Sequence, residues 1–181
     1  MALTFENSFE VPLPREDAWR VLLDIPRIAR CLPGAELTEA IDARTYKGNV
    51  RVKVGPVALS FAGTATFEEI DEAAQCVRVV GAGSEAKGRG RASAEFRIHL
   101  EDTGASLTRV VAKSDVTLTG AIAQYGRGVG VMKAVADEII ARLATNLARE
   151  IAEGGVEAAP ISAAGVLWGA GKRMFKKGES A

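Results

Sequence analysis

Side chains able to make or break bonds are scarce in this sequence, and those present do not assemble into a recognisable reaction centre. The chain has one histidine, His99, and two cysteines, Cys31 and Cys76. A serine or cysteine nucleophile working near neutral pH needs a base such as imidazole beside it, so any such centre would have to recruit His99. Phe96, Ile98 and Leu100 share one parity of an extended segment, which places His99 on the opposite, solvent-facing side with Arg97 and Glu101. A surface histidine is therefore expected. Metal chemistry is no better served, because one histidine and two distant cysteines lack the paired spacings of zinc and iron–sulfur sites. An internal acid or base of the aromatase/cyclase kind would fall to Tyr125, Asp115 or Glu69, and the outward parity of Asp115 weakens that reading.

Two glycine-rich runs invite phosphate or nucleic-acid chemistry. Gly126-Arg-Gly128 lacks the Lys and Ser/Thr that complete a P-loop, and no parallel βαβ unit surrounds it. Gly126, Gly128 and Gly130 are instead expected in the first turns of a long helix, where each costs about 1 kcal/mol against alanine. That placement serves either close helix-to-sheet packing or room for a ligand. Lys87-Gly-Arg-Gly-Arg91 reads as a solvated hairpin turn without interleaved aromatics, with docking to an acidic partner as its functional alternative. Lys plus Arg equals Asp plus Glu at 23 each, which excludes a surface built wholly for nucleic acid.

The elements that would position these residues follow from periodicity. At 181 residues the chain suits one well-buried domain, placed at 1–153, plus an appendage. Leu3 to Val11 alternates as a strand, apart from Asn7, and ends at Pro12 and Pro14. Two short helices follow, Arg15 to Leu23 and Pro26 to Cys31, stopped by Leu32-Pro33-Gly34. Six strands at roughly 35–41, 44–54, 57–70, 76–84, 90–101 and 106–118 are joined by short turns, which makes an antiparallel meander. After Gly120 the period returns to 3.6 for about 30 residues, from Ile122 to Ile151. Gly154-Gly155 ends that helix and opens a linker over 154–160.

The inward parities of the strands carry unusually small residues, among them Gly48, Gly63, Ala65, Gly81, Gly83, Ala92 and Ala94. A hollow beneath the long helix follows unless the helix collapses onto the sheet. Its expected lining is Trp19 and Leu32 from the short helices, Phe61, Phe67, Val79, Ala94, Phe96 and Ser114 from the strands, and Ile122, Tyr125, Gly126 and Val129 from the start of the long helix. Such walls suit a hydrophobic molecule held by dispersion, with Tyr125 and Asn7 as candidate polar contacts or as satisfied core groups.

The tail is a separate device. Over 161–177, Ile161, Trp168 and Phe175 recur every seven residues with Ala164, Leu167, Gly171 and Met174 beside them, an apolar arc of roughly 140°. Lys172, Arg173, Lys176 and Lys177 lie mostly opposite, and no acidic residue interrupts them. This basic amphipathic pattern over 161–181 is expected to grip an anionic membrane surface or a partner, through Leu167, Trp168, Met174, Phe175 and the four cations. With no signal peptide and no stretch of the roughly 18 apolar residues a span requires, a reduced cytoplasmic protein at the membrane periphery is expected.

The order strand, two short helices, six antiparallel strands and one long helix is that of the α+β helix-grip fold, START-like or SRPBCC. Within it the chain closely resembles CoxG, a family of carbon monoxide dehydrogenase subunits. The likeness rests on Cys31-Leu-Pro-Gly-Ala-Glu36, Lys53-Val-Gly-Pro-Val57, Gly63-Thr-Ala-Thr66, Gly81-Ala-Gly-Ser84 with Gly88-Arg-Gly-Arg-Ala92, and Gln124-Tyr-Gly-Arg-Gly128. The resemblance implies a non-catalytic accessory protein of molybdenum-containing carbon monoxide dehydrogenases and related hydroxylases. It further implies a lipophilic pocket suited to a quinone or lipid, with no covalent cofactor.

Overall fold

The computed structural model describes residues 2–104 and 106–154. The chain runs β1 (Ala2–Val11), α1 (Arg15–Leu23), α2 (Ile25–Cys31), β2 (Ala35–Ala40), β3 (Thr45–Val54), β4 (Val57–Asp71), β5 (Cys76–Glu85), β6 (Gly90–Gly104), β7 (Leu107–Gly120), a 3₁₀ helix η1 (Ala121–Arg127) and α3 (Val129–Gly154). One antiparallel sheet in the order β1-β7-β6-β5-β4-β3-β2 curves around α3. This is the helix-grip arrangement expected from the periodicity. The amphipathic tail and most of the linker lie outside the described residues.

Local chemistry explains the joints. The Asp24 carboxylate accepts a hydrogen bond from the Arg27 backbone N–H at 3.3 Å and so caps α2, while Pro26 occupies its first turn. At Gly34 (φ +78°) a side chain would strike the Arg51 carbonyl, and the Gly34 carbonyl in turn accepts from the Arg51 N–H at 2.9 Å. The glycine of the Cys31–Glu36 motif thus sews the end of α2 to β3.

One expectation fails. The 3.6 period from Ile122 does not form a single helix, because residues 121–127 wind as η1 and α3 begins only at Val129. Gly126 and Gly128 therefore belong to η1 and its end rather than to the first turns of α3, and only Gly130 lies there. The cause is visible at the end of the strands. The Ile122 N–H donates to the Arg89 carbonyl at 3.1 Å, which pins η1 to the β5–β6 turn before a straight α-helix can begin.

Packing divides into two cores. One joins α1, α2 and the second half of α3, through Trp19, Val21, Leu143 and Leu147, to the far ends of the strands at Tyr46, Phe67, Val77 and Leu100. The other gathers Leu3, Phe5, Val54, Leu59 and Leu118 around the fully buried Ile122. α3 runs closest to β1, reaches β3 beyond the middle of the sheet, and packs on α2. The middle of the concave face belongs to neither core.

Candidate functional site

Strand register arranges the concave face in rows. One row reads Val116, Ala94, Gly81, Ala65 and Tyr46 across β7 to β3. The next, toward η1, reads Leu118, Ala92, Gly83, Gly63 and Gly48. On the other side Phe5, Ser114, Phe96, Val79 and Phe67 stand in line. The small residues are thus contiguous, and a patch without side-chain bulk lies between the two cores. Phe96 is a large apolar side chain that joins neither core and remains half-buried, as do Ala94 and Ser114. Water reaches the face along β3, because Val50 has inward parity yet is 37% exposed, beside half-buried Phe61.

The glycines in this patch have two different causes. A Cβ on Gly63 would run into the Ala82 carbonyl, and one on Gly48 would lie 2.5 Å from the Glu36 carbonyl. Those two glycines let the strands bend. A Cβ on Gly81 meets only the Thr64 carbonyl oxygen, at 3.7 Å, so this glycine leaves real space.

The expected lining residues divide accordingly. Phe61, Val79, Ala94, Phe96 and Ser114 sit on the concave face, half-buried, and Phe67 borders them, buried edge-to-face against Tyr46 at 6.3 Å. Ile122, Tyr125 and Gly126 gather in η1, with Ile122 and Gly126 buried and Tyr125 packed on the η1-side core. Trp19 is instead buried in the core beneath α1, where its Nε1–H donates to Glu72 at 2.8 Å, and Leu32 packs on that same core. Val129 is 56% exposed and contributes nothing to a lining. Rotation at the η1–α3 break turns it to solvent.

The polar groups resolve as well. Asn7 donates to Asp137 at 2.7 Å, whose other oxygen accepts from Lys133 at 2.7 Å, so Asn7 ties β1 to α3 as a satisfied group. The Lys133 and Asn7 bonds hold the Asp137 carboxyl below its ordinary range. Glu85 was not anticipated. It ends β5 on the inward parity, is buried, and accepts from the Arg89 guanidinium at 2.8 Å and from the Lys87 and Arg89 backbone N–H groups. The Arg89 bond, against opposing burial and with help from those N–H groups, brings the Glu85 carboxyl down to about 2. The Lys87–Arg91 run is thus a structural junction as well as a turn. Inward parity at Glu85 was the available signal.

Candidate acids and bases lie elsewhere. Asp115 accepts from Thr4 and faces Arg97 on the convex side, and Glu69 pairs with Arg78 there. His99 faces solvent beside Glu101 at 3.3 Å, as expected. The Cys31 thiol donates to Glu150 at 2.8 Å, and burial, then this bond, pushes it up to about 12, far from a reactive thiolate. Among the described residues no group of three or more His, Cys, Asp or Glu side chains is placed to hold a metal ion, and no helix is long and apolar enough to cross a membrane.

A fold of this shape, with these motifs in this order, has known relatives. The sequence model of CoxG, the carbon monoxide dehydrogenase subunit family, matches residues 8–152. The chain belongs to the CoxG family. No curated protein sequence matches it significantly. Among solved structures, a conserved protein from Geobacillus kaustophilus is similar at TM-score 0.72 and 22% identity, over 83% of this chain and 96% of that one. The ZhuI aromatase/cyclase from a Streptomyces species follows at TM-score 0.58 and 17% identity, over 86% and 100%. Norcoclaurine synthase from Thalictrum flavum, in complex with dopamine and hydroxybenzaldehyde, gives TM-score 0.55 and 14% identity, over 87% and 90%. At such identities these likenesses establish the helix-grip fold of this CoxG member and nothing about its chemistry.

Proposed function

We propose that this CoxG-family protein is a non-catalytic carrier that holds an apolar, quinone-like molecule on its concave face and links a molybdenum carbon monoxide dehydrogenase-type oxidoreductase to the membrane. The observation that carries the reading is the contiguous patch around Ala94, Gly81 and Ala65, which lies between two packed cores and opens along β3. Interiors normally close such gaps, so a bare apolar patch flanked by aromatic rings suits a ligand. Phe61, Val79 and Phe96 would grip a flat ring by dispersion. Tyr125 and Arg89, beside the η1-side core, could offer hydrogen bonds to a carbonyl oxygen. The Arg89 Nε–H is buried and has no partner among the described residues, which leaves it available. A bound quinone would supply the redox chemistry, and the chain's own residues would bind, orient and shield it. Residues 161–177 provide the membrane grip in this reading, and no nucleic acid is involved. Mass spectrometry of lipid extracts from purified full-length protein tests the proposal. A co-purifying quinone or similar apolar molecule is expected, and an empty protein without affinity for added quinone would end the carrier reading.

A further inference from the structure

We infer that the η1 end of the folded domain is a docking face for an anionic bilayer, distinct from residues 161–177. An antiparallel meander sends alternate turns to opposite ends. The β3–β4 and β5–β6 turns, the start of β1, the end of β7 and η1 therefore gather at one end. There Lys53, Lys87, Arg91 and Arg127 are exposed, and their side chains have no ion-pair partner among the described residues. The single carboxylate of residues 50–58, 84–92 and 117–131 is Glu85, which is buried and already bonded to Arg89. The opposite end carries Asp42, Asp71, Glu72 and Asp102 at its turns, together with Arg44 beside Asp42 and Arg15 against the Ala74 carbonyl. A chain with no net charge thus carries a locally basic end.

Apolar exposure falls at the same basic end. Val129 is 56%, Val131 49% and Val50 37% exposed, three of the four exposed large apolar side chains among the described residues. An acidic protein partner would present discrete carboxylates, usually answered by a mixture of charges of both signs. Here cations on three strand ends and η1 share one end of the molecule with branched apolar side chains, and Glu36, opposite Asn49 and next to the Ala35–Val50 pair, is an exposed carboxylate at its β2 margin. A bilayer satisfies both features together, with continuous negative charge at its surface and an apolar layer just beneath. Each cation near that surface is worth about a fivefold gain in partitioning. The concave face opens at β3 near this end, so docking would bring that opening to the lipid. The inference goes beyond the carrier reading and requires no ligand.

The test uses the full-length chain carrying Val131→Trp and Trp168→Phe, with vesicles of equal parts phosphatidylcholine and phosphatidylglycerol whose acyl chains are brominated. Val131 is half exposed, so the change leaves the fold intact, and the buried Trp19 stays unquenched as an internal reference. The introduced indole is expected to be quenched on these vesicles, and not on phosphatidylcholine alone. Replacing Lys53, Lys87, Arg91 and Arg127 with Gln should remove the quenching and lower partitioning at least about tenfold. Changing Lys172, Arg173, Lys176 and Lys177 to Gln should weaken binding without moving the indole out of the lipid. An indole that stays unquenched while the chain sediments with the vesicles would overturn the inference, and so would quenching that survives loss of the four domain cations. Capture of an acidic protein by this face without quenching would reassign it to that partner. The mass-spectrometric search for a bound molecule reads out separately, so failure of one proposal is distinguishable from failure of the other.

Discussion

A methyl group added at Gly81 meets ordinary contact distance, whereas one added at Gly63 meets the backbone of β5. The two positions therefore separate room from bending. Gly81→Ala should leave the melting temperature nearly unchanged, while Gly63→Ala should destabilise by about 1–3 kcal/mol through forced overpacking. Ala94→Phe places a ring over the same patch. It is expected to block added quinone while the fold survives, and one sample suffices for ligand titration and a melting curve. A large loss of stability with unaltered binding would mean that the patch is already filled by neighbouring side chains. The residues in this series were legible, because strand parity alone puts Val79, Ala94 and Phe96 on one face. Parity does not carry the reason for each glycine, since a Cβ clash depends on how far the strand has bent toward its neighbour. By parity, Gly48 and Gly63 are indistinguishable from Gly81.

At the level of elements, the β5–β6 turn is the hinge pin of the η1 end. Glu85 gathers Lys87 and Arg89 around itself, Arg89 donates to the Ala58 carbonyl at 3.2 Å, and the Arg89 carbonyl holds η1. Gly90 and Gly120 then meet so closely that a Cβ on Gly120 would lie 2.8 Å from the Gly90 Cα. A carboxyl held at about 2 when folded, against roughly 4.3 when unfolded, binds fewer protons in the native state. Its contribution to stability is therefore complete above the unfolded value and is lost as pH falls toward the folded one. Melting temperatures recorded from neutral pH downward should drop through this window. Glu85→Gln should be less stable near neutrality and show a shallower drop, and an identical acid profile in both proteins would remove Glu85 from the role. The strands themselves were readable to within a few residues because alternation persists over long runs. η1 was not, since Ile122 and Tyr125 are three apart, a spacing that fits a 3₁₀ turn and an α-helix alike. Misreading that one junction also put Val129 on the wrong side. Trp19 was misplaced for a related reason: a helical stripe shows that a side chain is buried, not which core takes it.

For the whole molecule, the matched family region ends at residue 152 and α3 ends at Gly154, which predicts independence of the domain from residues 155–181. A chain truncated after Gly154 should melt near the full-length value and keep its ligand affinity. Its binding to anionic vesicles should weaken, and the remainder should vanish as salt is raised, because exposed cations are screened within about 8 Å at physiological ionic strength. Full-strength, salt-resistant binding by the truncated chain would remove the tail from membrane attachment. Two cores that share the same strands but not the same side chains have one more consequence, for cooperativity. With the patch around Ala94 bare, each core can loosen while the other holds, and amide exchange should report two protected regions with different opening energies. A molecule seated on the patch would touch Phe61 of one core's margin and Val79 of the other's. It would act as a shared keystone, and the two opening energies would rise and merge into one.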